Sequence, residues 1–219
     1  ESTGNNVSSL DLSELSSATL GSSATPLNEI RVAYGQLNSG TLTLSNISNL
    51  FAATALYVGN SLQLNAGTGT LILGAGANSL ALNTVTLGLF KGNGTMRFAS
   101  SAAGSPGSVT IGGRTRELTD FIIGSKGGMG TGANPIGTLD LRGHAATVAA
   151  GAVTLGKEDN PSYWNSGVNT NFFSYTTGNL FFDAGTFTVT NLTLAAKTGG
   201  SLGSAIATLT VSGGVFTVT

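Results

Sequence analysis

One short pattern keeps returning along this chain, and it restricts the fold more than any other feature. It is Gly-Thr-Leu-x-Leu, found as Gly40-Thr41-Leu42-Thr43-Leu44, Gly69-Thr70-Leu71-Ile72-Leu73 and Gly94-Thr95-Met96-Arg97-Phe98. It returns as Gly137-Thr138-Leu139-Asp140-Leu141, Gly178-Asn179-Leu180-Phe181-Phe182 and Ala207-Thr208-Leu209-Thr210-Val211. A second pattern follows all but the last of these: Leu56-Tyr57-Val58-Gly59, Val85-Thr86-Leu87-Gly88, Phe121-Ile122-Ile123-Gly124, Val153-Thr154-Leu155-Gly156 and Leu192-Thr193-Leu194-Ala195. The opening and closing glycines stand 19 residues apart in three units, Gly40 to Gly59, Gly69 to Gly88 and Gly137 to Gly156. The third unit, Gly94 to Gly124, is longer at 30 residues, and the fifth, Gly178 to Ala195, is shorter at 17. A third apolar patch lies between the two patterns, clearest as Thr147-Val148 and Phe187-Thr188-Val189-Thr190.

Side-chain parity identifies these segments as strands. The third and fifth positions of the first pattern are apolar in every copy, whereas the fourth reads Thr43, Ile72, Arg97, Asp140, Phe181, Thr210. Alternation of period two is what a strand with one buried face requires. In the second pattern the outward position reads Tyr57, Thr86, Ile122, Thr154, Thr193, largely a threonine ladder suited to contact between neighbouring strands. A unit of two or three short strands cannot bury its apolar face alone and must stack on the next copy. No sustained helical period is present, which argues against a leucine-rich horseshoe or a βαβ sheet. Propeller blades need roughly 40 residues, so the 19-residue intervals exclude them. The expected fold is therefore all-β, a right-handed parallel β-helix (β-solenoid) of about six degenerate rungs.

The expected organisation is a Ser-rich N-terminal segment or cap over residues 1–30, with residues 7–12 as one capping strand, and a β-helix over 31–219. Insertions are expected at about 99–120 and 157–177, the second carrying the aromatic group Tyr163, Trp164, Phe172, Phe173 and Tyr175, expected to fold onto the side of the rod as a satellite core or, alternatively, to form a lateral contact or sugar platform. Composition agrees with many short strands and tight turns. Charged residues are only 9% of the chain, glycine accounts for 33 of 219 residues, and 40% apolar content suffices to fill a core.

These units resemble those of the autotransporter-associated β-strand repeat proteins, large secreted β-helix proteins of bacteria, over roughly residues 32–219. The resemblance rests on the two patterns quoted above. It implies a surface-exposed adhesive, passenger or structural role, although no membrane barrel accompanies the repeats here.

Function is narrowed mainly by what the residues do not offer. A net charge of −1 gives no basic surplus for nucleic acid, and no stretch is apolar and long enough for membrane insertion as a helix. The chain has no cysteine and one histidine, His144, expected in an exposed turn. No cofactor, no metal site and no catalytic residues are expected, because metal centres and serine triads need several converging ligands or a histidine with partners. The glycine runs around Gly92 and Gly124 lack the order of a phosphate-binding loop. Arg97 and Asp140 share the outward position of successive units, as do Arg142 and Asp183 further along, and the expected result is a ladder of cross-rung ion pairs.

Aligned on the fifth unit, the last one stops after Phe216-Thr217-Val218-Thr219, before any counterpart of Leu192-Thr193-Leu194. An open rung is a docking edge. The expected function is thus an extracellular structural protein, a secreted β-helical subunit stacking head to tail with itself into a surface fibre, with an assembly edge at Val7, Leu10, Leu12, Phe216 and Val218. In that reading residues 7–12 complete the open rung of the next subunit. Alternatives are an adhesin or passenger fragment that binds glycans or a cell surface, and a β-helix polysaccharide-degrading enzyme. The first residue, Glu1, is not Met, as expected if a secretion signal had been removed.

Overall fold

The computed structural model describes residues 6–35, 38–61, 66–114, 117–126, 134–159, 175–198 and 203–219, and every regular element among them is a β-strand. The chain climbs in rungs. The first holds β1 (Asn6–Asp11), β2 (Ala18–Leu20) and β3 (Leu27–Tyr34); the second, β4 (Asn38–Thr43) and β5 (Ser48–Ser61); the third, β6 (Thr68–Leu73) and β7 (Ala77–Phe90). The fourth holds β8 (Asn93–Phe98), β9 (Ser108–Gly112) and β10 (Thr119–Ser125); the fifth, β11 (Ile136–Asp140) and β12 (Ala145–Glu158). The sixth holds β13 (Tyr175–Phe182) and β14 (Gly185–Lys197), and the last β15 (Ser204–Val211) and β16 (Val215–Val218).

Two parallel sheets result, and together they form a solenoid-like stack. The first is seven-stranded, β1-β4-β6-β8-β11-β13-β15, and contains every copy of the first pattern. The second runs β16-β14-β12-β10-β7-β5-β2, with β3 also paired to β5 and β9 paired to both β7 and β12. Register follows the repeat position by position. Leu42, Leu71, Met96, Leu139, Leu180 and Leu209 form one column, and Val58, Leu87, Ile123 and Leu155 another. Both columns point inward. Leu71, Met96, Leu139, Leu180, Leu87, Ile123 and Leu155 are fully buried in one continuous core. Each such side chain contributes about 1.5–3 kcal/mol on burial.

The structure departs from the sequence reading in three places. The N-terminal segment forms a complete rung, because Ser8-Ser9-Leu10 lies beside Gly40-Thr41-Leu42 with the same parity. Part of the expected insertion at 99–120 belongs to the second sheet: Val109 and Ile111 of β9 are buried and pair into the stack, whereas the segment 99–107 lies outside it. The last two patterns of a unit also merge into one strand in β5, β7, β12 and β14, with one residue pair skipped midway at Thr54/Asn83 and at Gly151/Thr190. In the fourth rung this bend is a bulge between Thr119 and Phe121, where the Asp120 carboxylate accepts the Ala152 amide at 2.9 Å.

Two buried asparagines close successive turns. Asn49 accepts from the Ser45 amide and donates to its carbonyl, and Asn78 does the same for Gly74. Asn49 Nδ2 also donates to Asn78 Oδ1 at 2.9 Å, so the two turns are joined through the interior. Without these partners each amide would be a buried unsatisfied group costing about 1–3 kcal/mol.

The closing glycines mark where the sheets meet backbone to backbone. Gly59, Gly88, Gly124 and Gly156 have φ between 65° and 73°, and the two end copies, Ala33 and Ala195, adopt the same conformation with φ 57° and 56°. A Cβ at Gly124 would lie 2.0 Å from the Thr177 carbonyl oxygen, whereas one at Gly104, with nearly the same φ of +75°, would meet nothing within 4 Å. Gly104→Ala therefore tests conformational strain alone, about 1–2 kcal/mol, and Gly124→Ala adds a backbone clash. Denaturant unfolding of both variants should show the Gly124 substitution costing at least about 1–3 kcal/mol more.

Candidate functional site

Three places concentrate polar chemistry: the outward face of the first sheet at rungs four to six, the inner corner after the closing strands, and the two end rungs.

On the first-sheet face, Arg97 and Asp140 occupy paired positions as expected, but the ion pair forms along the chain instead. Arg142 clamps Asp140 through two parallel hydrogen bonds, Nε to Oδ1 at 2.8 Å and Nη2 to Oδ2 at 2.6 Å, and its guanidinium lies 4.5 Å from the Phe181 ring centroid. A planar fork two residues away on the same chain outcompetes a partner on the next rung. Arg97 instead donates through Nη1 to the Phe98 carbonyl at 2.9 Å and more weakly to that of Ala99. Asp183 is not paired to Arg142 either; its two carboxylate oxygens accept the Gly143 amide at 2.9 and 3.0 Å. Burial pushes the Asp140 carboxyl up, but hydrogen bonds from Arg142 and the charges of Arg142 and Arg97 outweigh it, so its pKa stays below the ordinary value.

His144 is not the exposed turn residue expected from the sequence. It is 4% exposed and stacks on Phe98 with ring centroids 3.8 Å apart. Its Nε2 meets the Ser100 carbonyl at 2.6 Å, and since a carbonyl only accepts, Nε2 carries the proton. Nδ1 is buried with no hydrogen-bond partner. The ring is drawn inward because the loop after β8 folds back over the turn that contains it. Gly143 lets the two backbones touch: a Cβ there would sit 2.4 Å from the Ala102 carbonyl oxygen.

At the inner corner, Lys126 and Glu158 follow the paired residues Ser125 and Lys157 and are fully buried, as is Thr176, with Lys91 close to fully buried. Thr176 donates its hydroxyl to Glu158 at 2.9 Å. Burial holds the Lys126 ammonium below its usual range; the Glu158 charge opposes that shift and Lys91 adds to it. Nothing in the repeat pattern signalled this group, because Lys91, Lys126 and Glu158 fall just beyond closing glycines and Thr176 just before an opening one, where the copies stop resembling one another.

The expected assembly edge lies at both ends of the stack. Leu10 and Leu12 have the inward parity of Leu42 and Leu44, and Leu10 remains 54% exposed because no rung covers it. Val7 has the opposite parity, outward, and is 80% exposed. At the other end Phe216 stacks on Phe187 at 5.1 Å between centroids, and Val218, in line with Val189, is 56% exposed. One detail is corrected. Residues 7–12 cannot fill the open rung, since β1 belongs to the first sheet and is paired to β4, whereas the uncovered half of β14 lies in the second. Of the aromatic group, Tyr175 opens β13, is half-exposed and donates its amide to Asn134; Tyr163, Trp164, Phe172 and Phe173 lie outside the described residues.

Among the described residues no three His, Asp or Glu side chains converge on a common point that could hold a metal ion. No family model matches this chain, and neither a curated protein nor a solved structure matches it.

The Asp140 clamp has a pH signature. A depressed folded pKa means that its contribution is complete above the unfolded value near 3.9 and is lost as pH falls through the folded value. Asp140→Asn should cost about 1 kcal/mol or less near neutrality, the pair being partly exposed. As pH falls below 4 the difference from the parent should shrink, vanishing only below the depressed folded value. Urea unfolding at a series of pH values measures both.

Proposed function

We propose that this chain is a right-handed parallel β-helix from a secreted bacterial surface protein, and that its subunits stack end to end into an extracellular fibre. The observation that carries the reading is the pair of end rungs, whose strands have a neighbour on one side only among the described residues. At one end β1, β2 and β3 each have a neighbour on one side only, with Leu10 and Leu27 exposed. At the other, β15, β16 and the second half of β14 present Leu194, Val211, Val215 and Val218, all between 42% and 59% exposed.

The two ends match in kind. β1 and β15 terminate the same sheet and carry the same parity, so a second copy translated along the stack sets its β1 beside β15 in the parallel register already used six times within the chain. Burying each exposed leucine or valine contributes about 1–2 kcal/mol, and unpaired strand edges supply direction through their hydrogen-bonding groups. Contacts of this head-to-tail kind do not close on themselves and give filaments. The handedness follows from the rule for parallel crossovers. Secretion and a structural or adhesive role follow from the resemblance to the autotransporter-associated repeats, carried by residues such as Gly137-Thr138-Leu139-Asp140-Leu141 and Val153-Thr154-Leu155-Gly156.

Sedimentation velocity and negative-stain microscopy of the purified 219-residue chain test this. Unbranched filaments with an axial repeat of about 4.8 Å in diffraction are expected, and Val218→Lys, which aims a charge into the end contact, should leave monomers. A parent chain that stays monomeric at every concentration contradicts the fibre and favours a passenger segment.

A further inference from the structure

Between the loop that follows β8 and the turn that follows β11 runs a seam, divided in two where Gly143 meets the backbone of Ser101 and Ala102. On one side is a polar cavity of about 80 Å³ lined by Arg97, Ser100, Asp140 and Arg142. On the other is a wider cavity of about 460 Å³ lined by Ser105, Gly107, His144 and Asp183. Both sit on the outside of the stack, away from either end rung, so they stand apart from the fibre contacts.

We propose that this seam binds an acidic oligosaccharide of two or more sugar units. The first cavity holds two guanidinium groups and one carboxylate, a local charge that suits one further negative group. Asp140 occupies Arg142, while among the described residues Arg97 donates through Nη1 alone, leaving its other donors for a sugar carboxylate. A phosphate monoester, close to doubly charged near neutrality, carries more charge than this cavity balances.

The second cavity is built of acceptors. Each oxygen of Asp183 takes one hydrogen bond from Gly143 and retains capacity for another. His144, stacked on Phe98 and hydrogen-bonded to Ser100, forms a fixed wall of this cavity. Sugar hydroxyl groups donate to the remaining lone pairs of Asp183. The Phe181 ring lies under the Arg142 guanidinium and steadies that wall of the first cavity.

Isothermal titration with short galacturonate, glucuronate and mannuronate oligomers, each beside its neutral counterpart, tests the assignment. At least one acidic oligomer should bind, and its neutral counterpart should bind roughly tenfold more weakly, the value of one charge-assisted hydrogen bond. Arg97→Gln and Asp183→Asn should each weaken binding by a similar factor with unchanged circular dichroism, while Lys157→Gln, whose partner is Asp159 elsewhere on the stack, should not. Failure of every acidic oligomer to bind, equal affinity for the neutral ones, or indifference to both substitutions overturns the proposal. Filament formation by the parent chain is scored separately and bears on neither result.

Discussion

The contact between one rung and the next sustains everything else in this molecule. A single rung buries almost nothing: its inward leucines face an interior only as wide as two sheets, and its backbone groups point up and down the axis rather than across it. Stacking settles both deficits at once, because parallel pairing in fixed register places Leu71 against Leu42 and Met96 while closing the hydrogen-bond ladder. A slip of one residue would send every inward side chain to solvent. The close approach of closing and opening glycines, with Gly69, Gly94, Gly137 and Gly178 packed on backbone amides of the other sheet, restricts the stack to one tight corner geometry.

Departures from the repeat are where chemistry collects. Where Thr43 and Thr210 stand on the outward column of the first sheet, the middle rungs carry Arg97 and Asp140, and the turns beside them carry Arg142, His144 and Asp183. The loop after β8 lies over those turns, so a regular scaffold supplies rigid positions and an irregular segment encloses them. The buried corner of Lys126, Glu158 and Thr176 follows the same rule just beyond the closing glycines.

The strands β4, β6, β8, β11 and β13 were legible because each carries the opening glycine and alternates cleanly, and the 19-residue interval tied three of them to their closing strands. Three features escaped for physical reasons. Ser8-Ser9 replaces Gly-Thr in the end rung, where the absence of a rung beyond relaxes the need for glycine, so the first rung lost its signature. Val109 and Ile111 alternate over only five residues, too short to stand out between glycine-rich loops. The burial of His144 and the Asn49–Asn78 stack depend on residues about 30 to 44 positions apart, which no local pattern encodes. Charge pairing was misjudged for a similar reason: rung spacing brought Arg97 near Asp140, but side-chain geometry favoured Arg142.

The parallel stack itself can be measured directly. The native chain has no cysteine, so spin labels can be placed in pairs along one outward column, with Thr41 as the fixed partner and Thr138, Asn179 or Thr208 as the second. Pulsed dipolar spectroscopy on these three pairs should give distances that lengthen in equal steps of about 4.8 Å, the spacing of neighbouring strands. Distances that fail to increase in that order, or that jump by unequal amounts, would contradict a stack of parallel rungs.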